Sequence, residues 1–132
     1  MFVMAEQIRI TGVWKNDGSY HLLDDSGNPQ AGNMNPAELL TAAVVGCTGK
    51  TMHALMNKMK ISHDGFAITG LARKTVEKPV RIHSVSVDVS LHGAGLSDAQ
   101  RARLLELTEK YCLVAQTLKR GADVSLNIMP SK

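Results

Sequence analysis

The stretch NPAELLTAAVVGCTGKTMHALMNKMK, residues 35–60, constrains this chain more than any other part of it. Asn35 is suited to cap a helix, and Pro36 is pre-organised for its first position. The spacing predicts a helix from about Pro36 to Lys60, roughly 37 Å long at 1.5 Å per residue. One stripe holds Leu40, Val44, Cys47, Thr51, Ala54 and Leu55, and Met52, Met56 and Met59 lie on a neighbouring stripe. A helix apolar around so much of its girth belongs in a core. The chain has 132 residues, the size of one domain, and we take 1–132 as a single unit. A long apolar helix in so small a domain calls for a second chain to cover it, which predicts a homodimer.

The flanking segments supply a sheet. Residues 7–14 (QIRITGVW) alternate, with Ile8, Ile10, Gly12 and Trp14 on one face. Asp17-Gly18 marks a hairpin turn, and residues 19–23 return as a strand. Residues 24–35 are rich in turn formers and read as a loop. Runs 65–76 and 80–93 flank a turn at Glu77-Lys78-Pro79, and Val85, Val87, Val89 and Leu91 share one face of the second run. Ser97 and Gln100 fit a capping box at the start of a second helix. Leu104, Leu107, Tyr111, Val114 and Leu118 recur along it, and Gly121 stops it. Residues 123–129 (DVSLNIM) read as a closing strand. The order ββ–α–ββ–α–β, without regular βαβ alternation, places the chain in the α+β class with mainly antiparallel pairing.

Composition narrows the function classes. The net charge is +3, but the cations are scattered and only 4 % of residues are aromatic, which argues against nucleic-acid binding. No apolar run approaches the roughly 20 residues a membrane span needs. The N-terminal residues carry no charged segment ahead of a long apolar run, so no secretory leader is read there. With only two cysteines, this points to the cytoplasm, where a cysteine pair serves catalysis more often than structure.

Cys47 sits on the apolar stripe, where a cysteine is ordinarily a small core hydrophobe. Lys50, three positions on, supplies a cation within helical reach, and a nearby cation favours the reactive thiolate. Cys112 falls where the second helix can break and restart. Spacing alone leaves open whether the two meet. The histidines (His21, His53, His63, His83 and His92) show no zinc-ligand spacing and read mostly as surface residues, and there is no phosphate-binding glycine loop or GxSxG motif.

Residues 35–52 (NPAELLTAAVVGCTGKTM) resemble the first-cysteine motif of the OsmC/Ohr family, and residues 110–118 (KYCLVAQTL) resemble its second. The set is similar to the YhfA-type branch of that family. The resemblance implies an intertwined α+β homodimer acting as a cysteine-based peroxidase on organic hydroperoxides. Cys47 would be the attacking thiolate and Cys112 the resolving cysteine, with a dithiol or lipoylated protein as reductant and no metal or organic cofactor. Peroxidatic members carry an Arg in the first hairpin and a Glu directly after the Pro. This chain has Lys15 in the hairpin, Ala37 after Pro36, and Glu38 one place further on. By the resemblance Lys15 and Glu38 join the catalytic set, with Arg9 and Lys50 as other sources of charge. A second reading keeps the fold and makes the chain a non-enzymatic small-ligand-binding or redox-sensing protein.

Overall fold

The computed structural model describes residues 7–28 and 34–130. Residues 1–6, the middle of the expected loop (29–33) and residues 131–132 lie outside them. Strands β1 (Gln7–Trp14) and β2 (Tyr20–Leu23) form the expected hairpin, with Trp14 opposite Tyr20 and Thr11 opposite Leu23. Strand β3 (Phe66–Lys74) pairs with β1 on one side and with β4 (Ile82–Leu91) on the other. The result is a four-stranded, wholly antiparallel sheet in the order β2-β1-β3-β4. Alternation sets its register: Ile8, Ile10, Gly12 and Trp14 are buried on one face of β1, as are Phe66, Ile68 and Ala72 on β3.

Helix α1 (Pro36–Lys58) lies on that face. Asn35 caps it through a complete capping box: the Glu38 N–H donates to Asn35 Oδ1 at 2.8 Å, and the Asn35 N–H donates to Glu38 Oε1 at 3.2 Å. The side turned to the sheet carries Val45, Gly49, Met52 and Met56. Trp14 dictates this choice. Its ring is stacked between Tyr20 and Phe66, and a Cβ at either Gly12 or Gly49 would overlap it. The stripe holding Cys47 therefore faces elsewhere. Cys47 and Thr51 are only half-buried, and Ala54, expected inside, is exposed.

The second helical segment is two helices. Helix α2 (Asp98–Tyr111) starts at a complete Ser97–Gln100 capping box. It stops at Cys112, whose backbone is extended (φ −73°, ψ 108°), and α3 (Leu113–Arg120) restarts at once. The break redirects the apolar stripe. Leu104, Thr108 and Cys112 are buried, whereas Tyr111, expected inside, is 59 % exposed.

The expected closing strand does not form. Residues 123–129 follow α3 without pairing to any described strand, and Leu126 and Ile128 are 96 % and 95 % exposed. A strand exists only where its backbone groups find a ladder partner. The alternating apolar pattern is there, but among the described residues the neighbour is not. The observed order is ββ–α–ββ–α–α, still α+β. No helix among the described residues is long and apolar enough to cross a membrane.

Candidate active site

The two cysteines, 65 positions apart in sequence, meet where α1 runs past the break between α2 and α3. Both are free thiols; Cys47 is half-buried and Cys112 is 1 % exposed. The break creates the site. A helix start leaves its first backbone N–H groups without intrahelical partners, and Cys112 supplies no side-chain cap to α3. The N–H groups of Leu113 and Val114 lie near enough to the Cys47 sulfur to favour its thiolate, as do the side chains of Cys112 and of Thr51, one turn along α1.

These contacts split the two thiols electronically. Burial pushes the Cys47 thiol up, but the Val114 N–H, the Cys112 thiol, the Leu113 N–H and Thr51 together outweigh it and leave Cys47 below the ordinary thiol range. Cys112 moves the other way. Burial raises it first; donating to Cys47 and the proximity of that charge raise it further, against the Ala115 backbone and Thr48. Thr48 donates to the Val44 carbonyl at 2.7 Å and lies 3.8 Å from Cys112 Sγ. The arrangement is a thiolate-favouring sulfur beside a proton-retaining one, the polarity a nucleophile and its resolving partner require.

The charged residues singled out in the sequence are placed differently. Glu38 is engaged in the capping box, nine residues from Cys47 and about 13 Å away along the helix axis. Lys15 is exposed in the β1–β2 turn, where its charge acts on Asp17. Arg9 and Lys50 are exposed. None of the four is among the largest influences on Cys47. The backbone donors of Leu113 and Val114 were not legible in the sequence, because a main-chain N–H carries no residue signature. Among the described residues no three His, Cys, Asp or Glu side chains gather to hold a metal ion.

One wall of the site opens into a groove of about 690 Å³ between α1, β4, α2 and α3. Its lining is mainly apolar, including Val85, Val87 and Leu105, with Arg81 and Lys119 also contributing. Cys112 and Thr48 are in its wall and Cys47 is not. Ser84 also contributes, and its buried hydroxyl has no hydrogen-bond partner.

Solved structures share this fold at low sequence identity. An OsmC-like hydroperoxide resistance protein from Jannaschia sp. CCS1 superposes with a TM-score of 0.66 at 17 % identity, covering 94 % of both chains. An OsmC-like protein from Mycoplasma pneumoniae gives 0.59 at 15 % identity, covering 90 % of this chain and 89 % of that one. The organic hydroperoxide resistance protein OsmC from Legionella pneumophila gives 0.56 at 18 % identity, covering 89 % of this chain and 92 % of that one. No curated protein sequence matches significantly. The family described as "OsmC-like protein" matches residues 27–127, a span that includes α1, the central hairpin and both cysteines. With that match over most of its length and this fold, the chain belongs to the OsmC-like protein family.

Proposed function

We propose that the chain is a thiol peroxidase that reduces organic hydroperoxides, with Cys47 as nucleophile and Cys112 as resolving cysteine. The observation that carries this reading is the meeting of the two cysteines beside the N-terminus of α3, with Cys47 pushed toward its thiolate and Cys112 toward its thiol. The Cys47 thiolate attacks the terminal peroxide oxygen, the O–O bond breaks, and the alkoxide leaves and takes a proton as the alcohol. Cys47 is then a sulfenic acid. Cys112 condenses with it, forming the disulfide and releasing water. A dithiol such as a lipoyl group returns both sulfurs to thiols by exchange. Chemistry of this kind needs no metal or organic cofactor. The peroxide-resistance names of two structural neighbours support the substrate class.

The working unit in this proposal is a cytoplasmic homodimer. Val124, Leu126 and Ile128 alternate and are exposed, and among the described strands β4 has an unpaired edge. Pairing the 123–129 segment of each chain with the sheet of the other would bury those side chains and complete the ladder.

Consumption of cumene hydroperoxide with dihydrolipoamide as reductant tests the activity. Wild type is expected to turn over, Cys47→Ser to be inactive, and Cys112→Ser to accumulate a dimedone-reactive sulfenic acid at Cys47. A non-enzymatic redox sensor is the second reading, favoured by one observation: no Lys or Arg side chain is among the largest influences on Cys47. Stoichiometric oxidation without turnover would select it.

A further inference from the structure

Closing the disulfide places a demand on Cys112 that the resting site opposes. To attack an oxidised Cys47, Cys112 must react as a thiolate. Its side chain is 1 % exposed, so water does not solvate that charge, and burial raises its pKa. A thiolate forming there needs hydrogen-bond donors from the protein. The charged groups of the adjoining groove do not provide them. Glu109 and Lys119 are exposed and paired with each other at 3.2 Å, Arg81 and His83 are exposed, and none of the four is among the largest influences on Cys112.

Thr48 is placed to be such a donor. It follows Cys47 on α1, and its Oγ1 lies 2.7 Å from the Val44 carbonyl oxygen and 3.8 Å from Cys112 Sγ, within hydrogen-bond reach of a sulfur. A hydroxyl has one hydrogen, which rotation about the Cβ–Oγ1 bond aims at one acceptor or the other. While Cys112 is a thiol, the carbonyl is the better acceptor and holds that hydrogen. A thiolate is charged and outcompetes the carbonyl. Val44 is not orphaned by the turn, because α1 continues past Thr48 and the Thr48 main-chain N–H serves the same carbonyl.

We propose that, in the peroxidase cycle described above, Thr48 is a positioning residue for disulfide closure, its hydroxyl turning from Val44 to Cys112 as that sulfur gives up its proton. The Cys112 thiolate bonds to Cys47 Sγ, the S–O bond of the sulfenic acid breaks with its electron pair, and the departing hydroxide takes up the proton that Cys112 released and leaves as water. Oxidation of Cys47 prepares this step. Two of the influences that keep Cys112 protonated, its bond to the Cys47 sulfur and the charge there, vanish once Cys47 is a neutral sulfenic acid. Those of Thr48 and the Ala115 backbone remain, and both favour the thiolate.

Diamide separates this test from any peroxide reaction. It adds to the Cys47 thiolate, and Cys112 then attacks the same sulfur, breaks the S–N bond and releases the hydrazine. At high diamide, closure is a second phase independent of diamide concentration, and acid-quenched flow with mass spectrometry distinguishes the adduct from the disulfide. Thr48→Val keeps the branched shape without the hydroxyl and is expected to slow the second phase about tenfold relative to the first, the size of one hydrogen bond to a charged group. Thr48→Ala, a second loss of the hydroxyl, is expected to do the same. Thr48→Ser keeps the hydroxyl and is expected to close nearly as fast as wild type. A second phase unchanged in Thr48→Val and Thr48→Ala would overturn the proposal. So would a Thr48→Ser as slow as Thr48→Val, because the side chain would then act through its shape. Failure to form any 47–112 disulfide would sink this proposal and the peroxidase reading together. The expected ratios with diamide, in a protein that does not turn over hydroperoxide, would sink the peroxidase reading and uphold the role of Thr48.

Discussion

Cys112 shapes the site with its backbone as much as with its sulfur. Its extended conformation at φ −73°, ψ 108° ends α2 and frees the first N–H groups of α3, of which those of Leu113 and Val114 favour the Cys47 thiolate. The same geometry makes Leu113 a favourable place for proline: it is the first residue of α3, its side chain is 71 % exposed, and the residue before it already has the conformation proline imposes. Leu113→Pro is therefore expected to leave the fold intact. It removes the N–H that favours the Cys47 thiolate, so the Cys47 pKa rises. Thermal melts would check the fold, and the pH midpoint of iodoacetamide alkylation in a Cys112→Ser background would move upward. A midpoint unmoved by the substitution would show that the Leu113 N–H does not tune this thiol.

His63 couples the stability of the fold to protonation. It is 8 % exposed, packs edge-on against Phe66 and His53, and its Nδ1 accepts the Gly65 N–H at 2.9 Å. Burial lowers its pKa from the ordinary 6.5, the His53 charge lowers it further, and Asp64 opposes them. A depressed folded-state value means that the fold prefers neutral His63. Its contribution is complete above the ordinary histidine pKa and is lost as pH falls below about 6.5 toward the folded value. Protonated Nδ1 would also face the Gly65 N–H donor to donor. Melting temperature should fall with acidification in wild type and fall less steeply in His63→Asn, which keeps an acceptor and does not titrate. Equal slopes for the two proteins would remove His63 from the account.

At the scale of elements, the docking of α1 on the sheet is set by one aromatic ring and two glycines. Helix propensity favours alanine over Gly49 by about 1 kcal/mol. Packing opposes it, because a Cβ at 49 would occupy the space of the Trp14 ring, which Tyr20 and Phe66 hold from both sides. Overpacking a full core typically costs about 1–3 kcal/mol, so Gly49→Ala is expected to be destabilising on balance. Urea denaturation would measure this, and a stabilised variant would mean that the ring yields easily. Periodicity identified the helix as buried but not which side is buried. The stripe through Cys47 and the side through Val45, Gly49, Met52 and Met56 are both apolar, and only the position of Trp14 distinguishes them. That choice leaves Cys47 half-buried and within reach of α3.

At the scale of the whole molecule, the unpaired 123–129 segment sets the main expectation. Its exposed apolar side chains are costly in water, and two chains exchanging this segment would bury them. Sedimentation should therefore give a two-chain particle for wild type, and Leu126→Asp should shift it toward single chains. A single-chain wild type would refute the dimer.

The order of α1 and the four strands, the Asn35 cap, the Ser97–Gln100 capping box and the α+β class were legible in the sequence. Each rests on local chemistry: alternation for β1 and β4, Asn35 before Pro36, Ser97 with Gln100 three residues on, Asp17-Gly18 in a turn. The family resemblance paired Cys47 with Cys112, and the fold brings the two sulfurs together. The polarity of that pair, the backbone donors behind it and the groove at Cys112 were decided only in three dimensions. Each depends on contacts between segments far apart in the chain, and a main-chain N–H or an empty volume has no letter in the sequence. The closing strand shows the reverse limit: alternation makes a segment able to pair, but pairing needs a neighbour, and the described residues of this chain do not supply one.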